Sequence, residues 1–328
     1  MTANSVARPS GRPGRLRAVG DEIGFAWWSR YFVWVLLAGM VAGVLSVVTL
    51  NGMAVSASQD FQRTLSEERE SGVDVDAELR APLHVEPDGD QTVIDNPVRY
   101  DYERARAAAG MLRPWGYSAN AAQVAGFLLA PLVGFGAGLA LSLKDFRHRT
   151  IRLRAVRFRL GSLETAYSLT AGLLGVAAVV GATVAAVVAG AVTSGSTLSG
   201  LALDRSSPFP DPVGVPGAAA WVGFAVVASF YFGAIGVSIG LVTRALVAPM
   251  AVFTAMHLMV PILGPWDPRA MILSIGNALI PLSGTLRLNP ISGTLPPVWN
   301  LALLVAEAAV LLVLGRIALS ARPRWGAG

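Results

Sequence analysis

The chain has 328 residues, of which 53% are hydrophobic and only 14% are charged, and its formal net charge is +5. Soluble globular domains carry about 25% charged residues, so this composition excludes an ordinary water-soluble protein and indicates an integral membrane protein. The sequence contains no cysteine, which excludes disulfide bonds and cysteine-based metal sites.

The first 30 residues are predicted to be a tail that ends in a helix lying in the membrane interface. Leu16, Val19, Ile23 and Trp27 fall near one face of such a helix, and the charged residues lie mostly elsewhere. A cleaved signal peptide is not indicated, because acidic residues follow the arginines and the next apolar run is long enough to span a bilayer.

Six segments contain enough apolar residues to cross a bilayer, which requires about 20 residues in a helix. These segments are 31–53, 119–142, 166–193, 218–243, 246–264 and 298–319. A further apolar segment, 270–282, is too short to cross and is predicted to be a re-entrant or interfacial helix before the last span. The predicted fold is therefore an all-α integral membrane protein, with residues 31–328 forming the transmembrane domain.

The distribution of charge predicts the orientation of the chain. Six spans place both termini on the same side of the membrane. If that side is the cytoplasm, the cytoplasmic segments contain 16 basic and 4 acidic residues, and the outer segments contain 10 basic and 16 acidic residues. The positive-inside rule therefore predicts a multi-pass protein of the cell membrane with both termini in the cytoplasm.

The longest polar segment between spans, 54–118, is predicted to lie outside and contains 13 acidic and 7 basic residues. The elements expected in it are coil over 72–96 and short helices over 58–70 and 101–113. The second helix is expected to begin at an Asp101 N-cap and to end at Pro114. Two interpretations remain open for this segment, a solvated cap and a dedicated cargo-binding domain.

Seven basic residues are concentrated between residues 142 and 160, with an apolar span on each side. Positive charge there would hold the loop in the cytoplasm and attract anionic lipids, at about 1 kcal/mol per basic residue. Nucleic-acid binding is disfavoured because no nucleic-acid-binding fold surrounds the patch. The order of the residues favours a third interpretation, docking on a cytoplasmic protein, since arginine pairs well with carboxylates and Phe146 can fill an apolar pocket.

Residues 145–152 read DFRHRTIR and follow directly on a span that ends GAGLALSL. This pattern resembles the first cytoplasmic loop of the permease subunits of bacterial type-2 ABC exporters. That family shows an acidic residue, an aromatic residue, Arg and often His, then Gly-Thr and an apolar-Arg pair. The residues that match are Asp145, Phe146, Arg147, His148, Thr150, Ile151 and Arg152. Arg149 stands where the family usually has glycine, and Glu164 and Ala166 occupy a region where it often has lysine.

The order of segments from about residue 15 to 324 also follows the layout of that family. The resemblance implies that the loop 143–165 contains a coupling helix, which docks on a separate ATP-binding subunit. The implied contact residues are Asp145, Phe146, Arg147, His148, Arg149, Thr150 and Arg152. It further implies ATP and Mg²⁺ on that partner, a second permease copy that is identical or homologous, and export by ATP-driven alternating access.

The chain is not expected to be an enzyme itself or to hold a cofactor or metal. A P-loop requires G-x-x-x-x-G-K-[ST], and Lys144, the single lysine of the chain, is followed by Asp145 and has no such glycines before it. No H-E-x-x-H occurs, which excludes a metalloprotease of that kind. Membrane lipids are expected neighbours, and nucleic acid is not an expected partner.

Two ionisable residues inside predicted spans are candidates for the translocation pathway. Glu307 in the last span can contact cargo or a proton, or can form a hydrogen-bonded packing contact with another span. His257 in the fifth span is favoured as a packing histidine. The alternatives to an ABC permease are an ion- or proton-coupled secondary transporter, which would use these two residues, and a membrane-anchored sensor, which would require a folded outer segment.

Glycines of the third span are predicted to pack against another helix, because small residues let helix backbones approach closely. They are Gly172, Gly175, Gly181 and Gly190. The pattern leaves open whether the neighbouring helix belongs to the same chain or to a second copy.

Overall fold

The computed structural model describes residues 14–88, 91–204, 208–258, 271–272, 274–275 and 295–320. These residues are almost entirely helical, which confirms the predicted all-α class, apart from one two-stranded hairpin. The helices, in chain order, are α1 (Arg15–Trp28), α2 (Tyr31–Glu70), α3 (Val75–Arg80), α4 (Pro97–Gly110), α5 (Pro114–Val124), a π-helical turn (Ala125–Leu129), α6 (Ala130–Arg147), α7 (Ile151–Arg157), α8 (Leu160–Gly200), α9 (Gly214–Thr243), α10 (Val247–Leu258) and α11 (Pro297–Ser320).

Five helical stretches among the described residues are long and apolar enough to cross a membrane. They are Tyr31–Glu70, Pro114–Arg147, Gly161–Gly200, Gly214–Thr243 and Pro297–Ala318. These stretches contain the predicted first, second, third, fourth and sixth spans almost completely. The protein is therefore a membrane-embedded helical protein.

Two predicted membrane segments lie partly outside the described residues. The predicted fifth span, 246–264, is described only as α10, whose 12 residues rise about 18 Å and fall short of a bilayer core of about 30 Å. The predicted re-entrant segment, 270–282, is described at 271–272 and 274–275, which are helical. The sixth crossing and the re-entrant turn stay predictions.

One close helix pairing in the bundle joins α2 to α8 through small residues. A Cβ atom added to Gly39 would lie 2.2 Å from the carbonyl oxygen of Ala178, and one added to Gly43 would lie 2.1 Å from that of Ala182. Both pairs are spaced by four residues, which is the small-xxx-small pattern of close membrane helices. The two backbones therefore touch where glycine has no side chain.

The third-span glycines all pack against this same chain. Gly172 and Gly175 face α9 at Phe230 and Ser229, Gly181 faces the backbone of α2, and Gly190 faces the ring of Tyr117 in α5. The predicted packing role is confirmed. The question that the sequence left open is answered for these contacts, because each neighbour belongs to the same chain.

The predicted coil over 72–96 is wrong. Helix α3 and a hairpin of β1 (Val85–Asp88) and β2 (Gln91–Ile94) lie in this segment, and the two strands pair antiparallel with Val85 opposite Ile94. The predicted helix 58–70 is the continuation of α2 beyond its apolar part. We call residues 54–113 the cap.

The cap shares a hydrophobic core with the bundle. Phe61 of α2, Val98 of α4 and Leu203 after α8 are buried in one cluster that continues into the bundle at Tyr117. Few large apolar residues suffice here, because alanines of α4 pack closely against α2. The cap is therefore a folded extension of the bundle rather than a solvated loop.

The boundaries of α4 differ from those predicted. The side chain of Asn96 accepts a hydrogen bond from the backbone N–H of Arg99 at 2.8 Å, and Pro97 follows it, so α4 begins four residues before the predicted cap. Asp101 instead accepts a hydrogen bond from Thr64 of α2 at 2.7 Å. The helix ends at Gly110, and Pro114 begins α5 rather than ending α4.

Candidate functional site

The basic loop, residues 143–165, forms a compact helix–turn–helix path between two membrane helices. Helix α6 ends at Arg147, the short α7 follows, and α8 begins at Leu160. Arg149 has a φ of 55°, in the left-handed region that glycine adopts without steric cost.

Asp145 lies in the interior and organises the turn. Its Oδ1 atom accepts a hydrogen bond from Thr150 Oγ1 at 2.9 Å, and its Oδ2 atom pairs with Arg154 Nη1 at 2.7 Å. The hydroxyl of Tyr167 in α8 also donates to Oδ2. Asp145 therefore holds α6, α7 and α8 together and is 5% exposed.

Helix α1 joins the same cluster through Glu22, which is fully buried. Its carboxylate pairs with Lys144 at the end of α6 and with Arg154 of α7. The Lys144 ammonium also lies 3.6 Å from the centre of the Phe25 ring. The protein-facing side of α1 is formed by Glu22 with two small residues, Ala18 and Ala26.

We call Glu22, Lys144, Asp145, Arg154 and Tyr167 the charge cluster. Its two carboxylates and two cations balance, which is the condition under which buried charge is tolerated. Burial by itself lowers the pKa of the Arg154 guanidinium, but the nearby Glu22, Tyr167 and Asp145 outweigh it and raise that pKa overall. Arg154 is therefore a permanent cation that ties α1 and α8 to α7.

The other predicted contact residues occupy different environments. Arg147, His148 and Arg149 are exposed, and Thr150 is half-buried at the turn. Phe146 is partly buried against the core beside α8, with the guanidinium of Arg244 5.6 Å from its ring centre. The side chain of Arg152 lies outside the described residues.

Helix α7 also presents an apolar surface that sequence reasoning missed. Leu153 is 74% exposed and Val156 is 78% exposed, while Ile151 and Phe158 are buried beneath them. Exposed Arg157 and Arg159 stand beside this surface. We call Arg147, His148, Arg149, Leu153, Val156, Arg157 and Arg159 the docking face.

The charge cluster could not be found from sequence patterns. Glu22 and Lys144 are 122 residues apart, and the adjacent acidic residues Asp21 and Glu22 of an amphipathic helix are expected to be solvated. Leu153 and Val156 alternate with arginines in a run that is dominated by positive charge. Their exposure depends on which side of α7 packs against α8.

A cavity of 910 Å³ lies between α9, α10 and α11, with Phe135 of α6 at one wall. Both predicted pathway residues, Glu307 of α11 and His257 of α10, line it. The remaining lining is almost wholly apolar. The structure therefore brings together two residues that the sequence singled out separately.

Glu307 is partly buried near the middle of α11. Its Oε2 atom accepts a hydrogen bond from the hydroxyl of Tyr231 in α9 at 3.2 Å. This bond is a packing contact between spans, as one interpretation of Glu307 expected. Glu307 also lines the cavity, so both interpretations of this residue remain.

His257 supplies a hydrogen bond that the backbone of the second membrane helix lacks. Residue 131 is proline, which has no N–H, so the Phe127 carbonyl lacks its donor in an α-helical register. His257 Nε2 donates to that carbonyl at 2.7 Å, and the carbonyl lies in the π-helical turn. The His257 ring stacks on Phe253, with ring centres 5.4 Å apart. These contacts support the predicted packing role.

The pentapeptide GVSIG, residues 236–240, has the spacing of a nucleophile elbow but not its setting. An elbow lies at a sharp turn from strand to helix, whereas this segment lies inside α9. The hydroxyl of Ser238 donates to the carbonyl of Ala234, and Gly236 lets α9 touch the Phe135 backbone. Helix packing accounts for both residue types.

Comparison of the chain with protein-family models, curated proteins and solved structures finds no match.

Proposed function

We propose that this protein is the permease subunit of an ATP-driven exporter of the cell membrane. The docking face would seat on a separate ATP-binding subunit, which would hold ATP and Mg²⁺. The observation that carries this proposal is a short helix that exposes two apolar residues between arginines while buried ion pairs fix its position. Positive charge that served only to set the orientation of the loop in the membrane would require neither the apolar surface nor the rigid support.

A second permease copy is part of the proposal. Helix α11 exposes large apolar side chains such as Val298, Trp299 and Val305 over more than 60% of their area. It packs mainly on α9 and leaves the cavity at its flank. A pathway between two copies would place the exposed apolar side of α11 and the cavity next to the partner copy.

Co-purification tests the proposal. We expect ATP hydrolysis to accompany the tagged protein after gentle solubilisation, and to fall at least ten-fold in the double variant Leu153→Ser with Val156→Ser. These side chains are exposed, so their loss removes partner contacts and changes the free energy of unfolding by less than about 0.5 kcal/mol. Phe146→Ala is a poorer test, because Phe146 also packs in the core.

The matched control is Arg69→Glu, an exposed substitution at the cap end of α2. It is expected to retain the co-purifying activity. A monodisperse protein without ATPase activity in several detergents would contradict the proposal and favour the secondary transporter. The next test would then be loss of proton-linked flux in Glu307→Gln.

Orientation gives an independent prediction. The chain has no cysteine, so Leu153→Cys and Val73→Cys each introduce a single thiol at an exposed position. In right-side-out vesicles we expect an impermeant maleimide to label residue 73 at once and residue 153 only after the membrane is opened. Labelling in the reverse order would contradict a cytoplasmic docking face.

A further inference from the structure

We infer that Glu164 is a proton-binding site, and that a proton bound there releases the C-terminal end of α11 from α8. Glu164 lies near the start of α8 and is 1% exposed. Its Oε2 atom accepts a hydrogen bond from Arg316 Nε of α11 at 2.8 Å. A buried ionisable group in a membrane helix is a candidate for function. The inference concerns this pair alone and does not depend on the proposed transport function.

Only one oxygen of the Glu164 carboxylate has a hydrogen-bond partner. The Oε1 atom is buried and accepts no hydrogen bond. The backbone of α11 lies close to it, since a Cβ atom added to Gly315 would be 3.3 Å from Oε1. A buried polar atom without a partner costs free energy, and a charged one costs more. Oε1 is therefore the atom to which a proton can add without displacing a contact.

The next turn of α8 offers a partner for the protonated group. Ser168 follows Glu164 by four residues and so lies on the same side of the helix. Its Oγ atom is also buried without a hydrogen-bond partner. A serine hydroxyl accepts hydrogen bonds as well as donating them, so it can accept the proton of a carboxyl group there.

Proton uptake and release of α11 are coupled through charge. Arg316 is the one charged group that acts on Glu164 among the described residues. The acidic residues of the neighbouring elements, Glu22 of α1 and Asp145 of α6, are engaged inside the charge cluster. If Arg316 leaves, the carboxylate stays buried without a cation, and such a group takes up a proton instead. The released state therefore binds the proton more tightly, and by linkage a falling pH favours release.

Arg316 is placed so that it can leave. Its side chain is 62% exposed, so water can replace the carboxylate as its partner. Helix α11 packs mainly on α9 and only slightly on α8. Leu314, two residues before Arg316, is also exposed. The ion pair therefore ties the end of α11 to α8 at a place where packing contributes little.

The distance between the two helix ends tests the release. The chain has no cysteine, so spin labels can be attached at Gly161→Cys, where a Cβ atom would meet nothing within 4 Å, and at exposed Leu314→Cys. Pulsed electron paramagnetic resonance of the full-length protein in lipid nanodiscs gives the distance distribution. We expect one short distance at about pH 8, and a longer distance whose population rises roughly three-fold or more on acidification to about pH 4.5.

Substitutions in the labelled protein assign the response to Glu164. Glu164→Gln removes the negative charge and is expected to show the longer distance at both pH values. Arg316→Lys keeps a cation and is expected to respond as the parent does. Glu67→Gln, on the exposed cap end of α2, is the matched control and should also keep the response. A pH response that persists in Glu164→Gln, or that is lost in Glu307→Gln, would place the proton elsewhere and overturn the inference.

Infrared difference spectroscopy reports the proton itself. The parent is expected to show the C=O band of a protonated carboxyl group on acidification. This band should be absent in Glu164→Gln and should appear at a higher pH in Arg316→Gln. A band with these properties but an unchanged distance would overturn the release of α11. Neither measurement contains ATP or a partner, so failure here is distinct from failure of the proposed function.

Discussion

Substitution of Arg154 by alanine is expected to destabilise the protein by about 3–5 kcal/mol, because it leaves Glu22 and Asp145 buried with only Lys144 to balance them. The loss should appear as a lower apparent melting temperature in detergent. Arg157→Ala, on the same helix but exposed, is the matched control and should change stability by less than about 0.5 kcal/mol.

The single lysine of the chain gives this prediction a local readout. Lys144 has a side-chain exposure of 12% and pairs with Glu22 inside the charge cluster. Peptide mapping after treatment with an amine-reactive reagent should show slow modification of Lys144 in the parent and faster modification in Arg154→Ala. Equal rates would mean that α1 stays docked without Arg154, and the cluster would then not hold the loop.

Charge balance can be separated from the loss of a side chain by a double variant. Glu22→Leu with Arg154→Leu removes one charge of each sign and leaves Lys144 beside Asp145. It is expected to be more stable than Arg154→Ala by about 0.5–3 kcal/mol, since neighbouring residues in one network couple by such amounts. A double variant less stable than both Glu22→Leu and Arg154→Leu made singly would argue that packing, not charge, dominates this site.

The second large effect is expected at the contact of α2 with α8. Gly43→Ala places a methyl group 2.1 Å from the Ala182 carbonyl oxygen, and a backbone atom cannot move aside without separating the helices. Overpacking of this kind costs about 1–3 kcal/mol, and more where the backbone must shift. We expect a lower temperature for loss of the monodisperse peak in size-exclusion chromatography after heating.

Gly52→Ala is the matched control for this change. Gly52 lies on the same helix, and a Cβ atom there would have no neighbour within 4 Å. Alanine has a higher helix propensity than glycine by about 1 kcal/mol, so Gly52→Ala should leave stability unchanged or raise it slightly. If both variants melt alike, the close approach of α2 and α8 is not required for stability.

The start of α4 in the cap shows that local sequence patterns alone do not determine where a helix begins. Asn96 and Asp101 are both residue types that are favoured at N-caps, and the sequence analysis placed the helix start at Asp101. The observed helix begins after Asn96, whose side chain also donates to the Glu78 carbonyl at 2.8 Å, while Asp101 is used by Thr64 of α2. The choice between two equal local signals was made by neighbours distant in sequence.

For the basic loop, too, some features follow from local sequence and others depend on distant contacts. Its position between two spans, its charge and its short helix follow from residues near one another in the chain. The role of each residue does not follow from its neighbours in the chain. Asp145 was predicted to contact a partner subunit, whereas in the structure it lies in the interior and accepts hydrogen bonds from Arg154 and Tyr167. The exposed positions Leu153 and Val156 are better candidates for partner contacts.

The sequence by itself determined the membrane class, the position of five long helices and the concentration of positive charge in one loop, because apolar length and charge are properties of contiguous residues. Only the tertiary structure decided that the charge cluster joins α1 to α7, that Glu307 and His257 share one cavity, and that the third-span glycines meet α2, α5 and α9 of their own chain. Glu22 and Lys144 of the charge cluster, for example, are 122 positions apart, and no local pattern records which helix faces meet.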